Sequence, residues 1–209
     1  MPVLRQDPTT RDWVILAPGR GDRPTSNNAT ATRHRPRVPH DPDCPLCPGN
    51  ESRTPPELLR QVDEAGHWLV RVVPNKFPAV THEGDLQRRE PAPLFREMDS
   101  TGHHELIVET PIHDHLAPLM EAHEIQRLLK TYQSRYWALR RDPRVNWIVL
   151  FKNHGERAGT SLEHPHSQIV ALPMPPGQVR RKYDVAIRHF DDTGRSMFTA
   201  ANRSVNAPR

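Results

Sequence analysis

The sequence contains no run of about 18 apolar residues, so no segment of it can cross a membrane as a hydrophobic helix. Its start, Met1-Pro2-Val3-Leu4-Arg5, lacks the apolar core of a secretory leader, and the expected location is the cytoplasm. Only two cysteines occur, Cys44 and Cys47, too few for a disulfide framework. Apolar residues make up only 35% of the 209 positions, and mean hydropathy is −0.76. Both are low for a compact globule, so part of the chain should be loop-rich. Ten glycines stand against 23 prolines, and that many prolines exclude a plain helical bundle. Aromatic residues are few, 6%, which offers little stacking surface for nucleic-acid bases, so nucleic acid is not the expected partner. Neither sign of charge dominates. The net charge of +4 suits a phosphate-bearing partner without choosing among them.

Histidine is what the chain has in quantity: 13 residues able to act as ligands, bases or nucleophiles. The length suffices for one large domain or two small ones with a real core. Residues 13–17, 67–73, 105–109, 145–151 and 167–172 read as strands. Residues 121–141 read as a helix, because Ile125, Leu128, Leu129, Tyr132, Tyr136 and Leu139 recur at helical spacing. Residues 18–43 and 82–102 read as long polar, Pro-bearing loops. Residues 178–190 read as a basic helix, and residues 191–209 as unstructured. The order predicts an α+β fold, an antiparallel sheet with one main packed helix and long Pro-rich loops.

Two segments carry candidate chemistry. In Cys44-Pro45-Leu46-Cys47 the two-residue gap lets both sulfurs reach one tetrahedral ion. Two buried thiols or a redox pair would read the same way. A redox pair needs a helix N-terminus behind its first cysteine, however, and here prolines follow. A metal would need two further ligands. His113, at the end of a strand, is a candidate, with His103, His104 and His115 as alternatives. The second segment is His164-Pro165-His166-Ser167-Gln168. In an extended chain His164, His166 and Gln168 share one face, and Pro165 places the stretch at an edge or a strand start. The loop before it holds Asn153, Gly155, Gly159, Thr160 and Ser161, whose backbone N–H groups can cradle phosphate oxygens. An imidazole beside such a cradle can attack phosphorus, with the Gln168 amide donating to the charge that builds there. A polar loop leading into a strand with solvent-facing histidines is the plainer alternative.

These residues bring the chain into resemblance with the galactose-1-phosphate uridylyltransferase family of the histidine-triad superfamily. The resemblance is carried by residues 17–24, by Cys44 to Glu51, by Val73-Pro74-Asn75-Lys76-Phe77-Pro78-Ala79, by Glu109-Thr110-Pro111-Ile112-His113 and by residues 153–168, in family order. It implies a histidine-triad-like domain over residues 1–176, and a basic tail, 177–209, that begins a missing second half. It implies zinc held by Cys44, Cys47, His113 and His164 as a closed structural site. It implies His166 as the nucleophile, attacking the α-phosphorus of UDP-glucose to give a uridylyl-histidine that galactose 1-phosphate then resolves. Phosphate contacts would fall to Asn153, Gly159, Ser161 and Gln168, and the nucleobase end to Asn75. Arg20 and Arg23 would reach phosphate across a homodimer interface.

The chain departs from the family pattern in three places. Only the first of the family's two related halves is recognisable. Lys76 follows Asn75 where the best-known uridylyltransferases have an acidic residue. Ser167 stands where glycine is common, and serine there also occurs in relatives that act on adenine nucleotides. An adenylyl transferase or ADP-sugar phosphorylase is therefore the alternative within the family. Outside it, the alternatives are a zinc-stapled nucleotide- or RNA-binding module without catalysis, or an inactive remnant that folds poorly.

Overall fold

The computed structural model of the chain describes residues 1–7, 12–22 and 38–199. Five strands build the larger sheet: β3 (Leu59–Val62), β4 (Trp68–Pro74), β7 (His103–Val108), β8 (Trp147–Phe151) and β9 (His166–Leu172). They lie in the order β3-β4-β7-β9-β8, and every neighbouring pair is antiparallel. A second antiparallel sheet has the order β2-β1-β6-β5, from β1 (Val3–Gln6), β2 (Trp13–Leu16), β5 (Arg89–Ala92) and β6 (Phe95–Asp99). The chain passes from β6 into β7, and so from one sheet to the other, through buried Ser100 and Thr101. Gly102 then packs on the Ala171 carbonyl so tightly that a Cβ would lie 2.1 Å from its oxygen, which admits only glycine.

The helix α1 (Ala122–Leu139) starts at a capping box, with the Glu121 N–H donating to the Glu124 carboxylate at 2.8 Å. Leu128 and Leu139 join Val70, Val72, Ile107, Ile169 and Ala171 in the main core. Each fully buried side chain of this kind contributes about 1.5–3 kcal/mol. Within that packing Arg135 clamps buried Glu105 with two hydrogen bonds of 2.8 and 2.6 Å. Leu129 and Tyr136, which share the helical spacing, face solvent instead. A second helix, α2 (Gly177–Thr193), ends at left-handed Gly194 and buries none of its side chains. No helix among the described residues is long and apolar enough to cross a membrane.

The α+β expectation holds, with two antiparallel sheets where one was read. Residues 82–102, read as a loop, contain β5 and β6. Every residue of β5 is exposed, so its sequence carries no apolar alternation, and Pro91 fits because β5 is an edge strand. The helix read at 178–190 runs to Thr193, three residues into the stretch read as unstructured, and residues 200–209 lie outside the described residues.

Candidate active site and metal centre

Strand alternation divides the larger sheet. On β7 and β9, Ile107, Ile169 and Ala171 face α1, whereas Leu106, Val108, His166 and Gln168 face the other way. Against that second face lies the segment carrying the cysteine pair. Its turn is held by Cys47 N–H to the Cys44 carbonyl at 3.2 Å, and the Asn50 side chain donates to the carbonyls of Pro42 and Cys44. The His113 N–H donates to the Pro39 carbonyl at 2.9 Å, which ties the end of β7 to the same segment. His164 sits just ahead of β9.

Cys44, Cys47, His113 and His164 are all buried, and their donor atoms lie within 4.8 Å of one another. Three sulfur-to-nitrogen separations are 3.4, 3.5 and 3.8 Å, from Cys47 to His113, from Cys47 to His164 and from Cys44 to His164. The S···N edge of a tetrahedron with ordinary zinc–sulfur and zinc–nitrogen bond lengths is about 3.6 Å. The four residues therefore fit one tetrahedral ion. The Nε2–H of His164 donates to the Thr110 carbonyl at 2.8 Å, which leaves the Nδ1 lone pair turned to the sulfurs. Burial pushes the Cys44 thiol up to about 12, and it pushes the His164 imidazole down to about 4. A thiol so placed ionises only beside a cation, while His164 stays neutral as a ligand must. His103 and His115 are engaged elsewhere, by Asp142 and Glu124, and His104 by Gln168.

The cysteine–histidine cluster adjoins a cavity of about 630 Å³ lined by Leu46, Asn75, Phe77, Ser161, His166 and Gln168, among others. This size suits a nucleotide-sized ligand. His166 is buried in its wall, and its Nδ1 lies 2.8 Å from the His164 carbonyl oxygen. A carbonyl only accepts, so Nδ1 carries the proton and Nε2 the lone pair. The Gln168 Oε1 accepts from His104 Nε2 at 2.9 Å and from Asn75 Nδ2 at 3.3 Å. That leaves the amide NH₂, the donor end, on the opposite branch. The arrangement offers an imidazole nitrogen, an adjacent amide donor and a partly open cavity. Those are the parts needed for covalent transfer of a phosphoryl-linked group.

Other residues singled out in the sequence fall at varying distances from this centre. Ser161 lines the cavity, whereas Asn153 and Gly159 are not among its lining residues. The Asn153 amide closes its own loop onto the Ala158 carbonyl, and Gly159 holds a left-handed turn at φ 73°. Arg20 donates to the carbonyl of Phe77 at 2.7 Å, at the cavity wall. Arg23 lies outside the described residues. Lys76 lines the cavity beside Asn75. Ser167 points away from it. Its hydroxyl bonds the carboxylate of Glu109 and lies 2.7 Å from the Tyr132 hydroxyl of α1. His104, read in the sequence only as an alternative metal ligand, instead meets Gln168, as period-two alternation from Leu106 and Val108 puts it on their face.

Comparison with known proteins agrees with this geometry. Residues 1–176 match the family described as galactose-1-phosphate uridyl transferase, N-terminal domain. ADP-glucose phosphorylase from Arabidopsis thaliana is 34% identical over 93% of this chain and 55% of its own length. Galactose-1-phosphate uridylyltransferase from Haemophilus influenzae is 29% identical over 87% of this chain and 50% of its own length. A solved uridylyltransferase structure superposes with a TM-score of 0.70 at 25% identity, covering 95% of this chain and 54% of that one. The chain thus spans about half the length of the curated relatives it matches. Over that half, it belongs to the galactose-1-phosphate uridyl transferase family.

Proposed function

We propose that the chain carries out nucleotidyl transfer from a nucleoside diphosphate hexose through a covalent intermediate on His166. The observation that carries this reading is the bond from His166 Nδ1–H to the His164 carbonyl, which puts the lone pair on Nε2 in a side chain that lines the cavity. Nε2 attacks the α-phosphorus. An N–P bond forms, the P–O bond to the sugar 1-phosphate breaks, and the sugar 1-phosphate leaves with the electron pair. A second phosphate-bearing acceptor reverses these bond changes and frees His166. Gln168 donates to the phosphoryl oxygens, where charge spreads as the bonds change. Ser161 lies where it can join that contact, and Asn75 lies toward the nucleobase.

Zinc is the ion this reading assigns to Cys44, Cys47, His113 and His164, since two sulfurs and two imidazoles suit it. Four protein ligands leave no open position, so its part is to hold the segment around residues 38–50 and His164 in place. His166 is two residues from a ligand, and the ligand's own carbonyl orients it. Pairing of two chains as a homodimer, with Arg20 and Arg23 serving phosphate, belongs to the same reading.

The first donor–acceptor pair to test is UDP-glucose with galactose 1-phosphate, the pair that the family resemblance implies. A specific observation favours a second pair: 34% identity with an ADP-glucose phosphorylase. Lys76 beside Asn75 adds to it. Intact-protein mass spectrometry after incubation with UDP-glucose, and separately with ADP-glucose, tests both. The expected result is one nucleotidyl adduct per chain, absent in His166→Ala, with the retained metal unchanged. A uridylyl adduct selects the first pair and an adenylyl adduct the second. No adduct from either donor, in folded and metal-loaded protein, overturns nucleotidyl transfer and leaves a binding module.

A further inference from the structure

The side-chain amide of glutamine is nearly symmetric in shape, so packing alone does not decide which end faces a ligand. The two orientations differ in kind for an anionic substrate. One presents NH₂ donors to phosphoryl oxygens, and the other presents a carbonyl oxygen that repels them. In this chain two donors converge on Gln168 Oε1, His104 Nε2 at 2.9 Å and Asn75 Nδ2 at 3.3 Å. Each is itself oriented by a backbone N–H. Ala79 N–H donates to His104 Nδ1 at 3.0 Å, and Phe77 N–H donates to Asn75 Oδ1 at 2.9 Å. A backbone N–H can only donate, so His104 must carry its proton on Nε2 and Asn75 must turn its NH₂ to Gln168. The two donor nitrogens lie 3.1 Å apart because they share one acceptor. A further backbone bond, Asn75 N–H to the His104 carbonyl at 2.8 Å, ties the end of β4 to the start of β7. Flipping the amide would set its NH₂ against two N–H groups with no acceptor between them, in a place where His104 is only 6% exposed.

We infer that His104 is a positioning residue, one that fixes the Gln168 amide with its NH₂ turned toward the reacting phosphoryl group. The inference rests on the nucleotidyl-transfer reading for its consequence, and on the backbone-set tautomer for its geometry. His104 acts on the reaction through Gln168. It should therefore alter the rate of adduct formation more than the binding of the donor.

The experiment is single-turnover formation of the His166 adduct, followed by quenched mass spectrometry with UDP-glucose or ADP-glucose as donor. His104→Gln keeps an N–H donor near the Nε2 position, and His104→Asn keeps only the group that faces Ala79. The expected result for His104→Asn is a fall in the maximal rate on the order of 10- to 100-fold, with the half-saturating donor concentration changed by less than about threefold. His104→Gln should recover most of the rate. In a Gln168→Ala background His104→Asn should cost nothing further. A full-sized further loss in that background overturns the inference, as does a His104→Gln protein no faster than His104→Asn. A second arm needs no activity and no stable His104 variant. Histidine nitrogen NMR of the full chain should find His104 protonated on Nε2 with slow hydrogen exchange, and Gln168→Ala should abolish the protection. An Nδ1–H tautomer, or protection indifferent to Gln168→Ala, overturns the inference. Absence of any adduct from the unsubstituted chain overturns only the transfer reading, because this second arm still reads the His104–Gln168 link.

Discussion

The two faces of the five-stranded sheet are made by alternate residues of the same strands, yet they are closed by different physics. On β9, Ser167, Ile169 and Ala171 turn to α1, while His166 and Gln168 turn to the cavity. The helix face is held by apolar area, contributed by many interchangeable side chains. The opposite face has a smaller apolar cluster of Cys44, Leu46, Cys47, Trp68 and Val108, two of which are the cysteines of the candidate metal centre. There the covering segment has no helix to bury and is rich in proline. A few donor atoms at fixed distances must do what a large area does across the sheet. The difference teaches why a chain of low hydropathy can still order long loops: they are ordered at points, and the catalytic candidates sit beside those points.

The largest effect should come from removing one such point. Cys47→Ser should abolish metal binding, measured by elemental analysis. It should also remove more than about 5 kcal/mol of local stability from residues 38–55 and the start of β9. Hydrogen exchange should rise there while α1 and the strands beneath it stay protected. Uniform loss of protection across both faces would break the comparison. Ile107→Ala should do the reverse. The side chain is wholly buried against α1, so the global unfolding free energy should fall by about 2–5 kcal/mol. Metal bound per folded chain should not change.

The sequence made much of the second face readable and less of the rest. The spacing of Cys44 and Cys47 suits one tetrahedral ion, because that much of coordination geometry is local, although two buried thiols have the same spacing. His166 and Gln168 announce a shared face by alternation. The partners that complete the site come from afar in sequence, and spacing could not single out His113 over His103, His104 or His115. The long-range register that sends His103 to Asp142 and His104 to Gln168 decides it. Strand β5 was not readable because an exposed edge strand has little apolar pattern to display, and β6, although paired on both sides, buries only Met98. The helix α1 was readable in extent, while the exposure of Leu129 and Tyr136 depended on what packs there.

Acid should separate the faces by a moderate amount. Burial holds His164 in the metal-free protein down at about 4, against an ordinary value of 6.5. A lowered value means that the folded state takes up fewer protons than the unfolded one. The contribution to stability is therefore complete above about pH 6.5 and declines as pH falls toward 4, by about 3 kcal/mol in all. On the helix side Asp142 is held far below the usual carboxylate range, first by Arg144 and also by His103, so it stays ionised through that window. Urea unfolding of chelator-treated protein at pH 7.5 and 4.5 should show the loss. Hydrogen exchange, corrected for its intrinsic pH dependence, should place it at residues 38–55 and not in α1.

The smallest effect bears on the residue that joins the faces. Ser167 lies between His166 and Gln168 in sequence, and in the sequence reading it marked a tilt toward adenine nucleotides. Its hydroxyl instead enters a buried cluster behind the strand, with Glu109, Tyr132 and Lys152. Burial, and then the Glu109 charge, push the Tyr132 hydroxyl well above its ordinary value, so it remains a donor at every working pH. Ser167→Gly removes one donor from a carboxylate that keeps Tyr132 and Lys152. The cost should be about 1 kcal/mol for the hydrogen bond and up to about 1 more for glycine within a strand. Because nothing is removed from the cavity side, the ratio of adduct formed with UDP-glucose to that formed with ADP-glucose should stay unchanged. A shift in that ratio without a matching loss of stability would mean that base choice is communicated through the strand, and that the faces are one system rather than two.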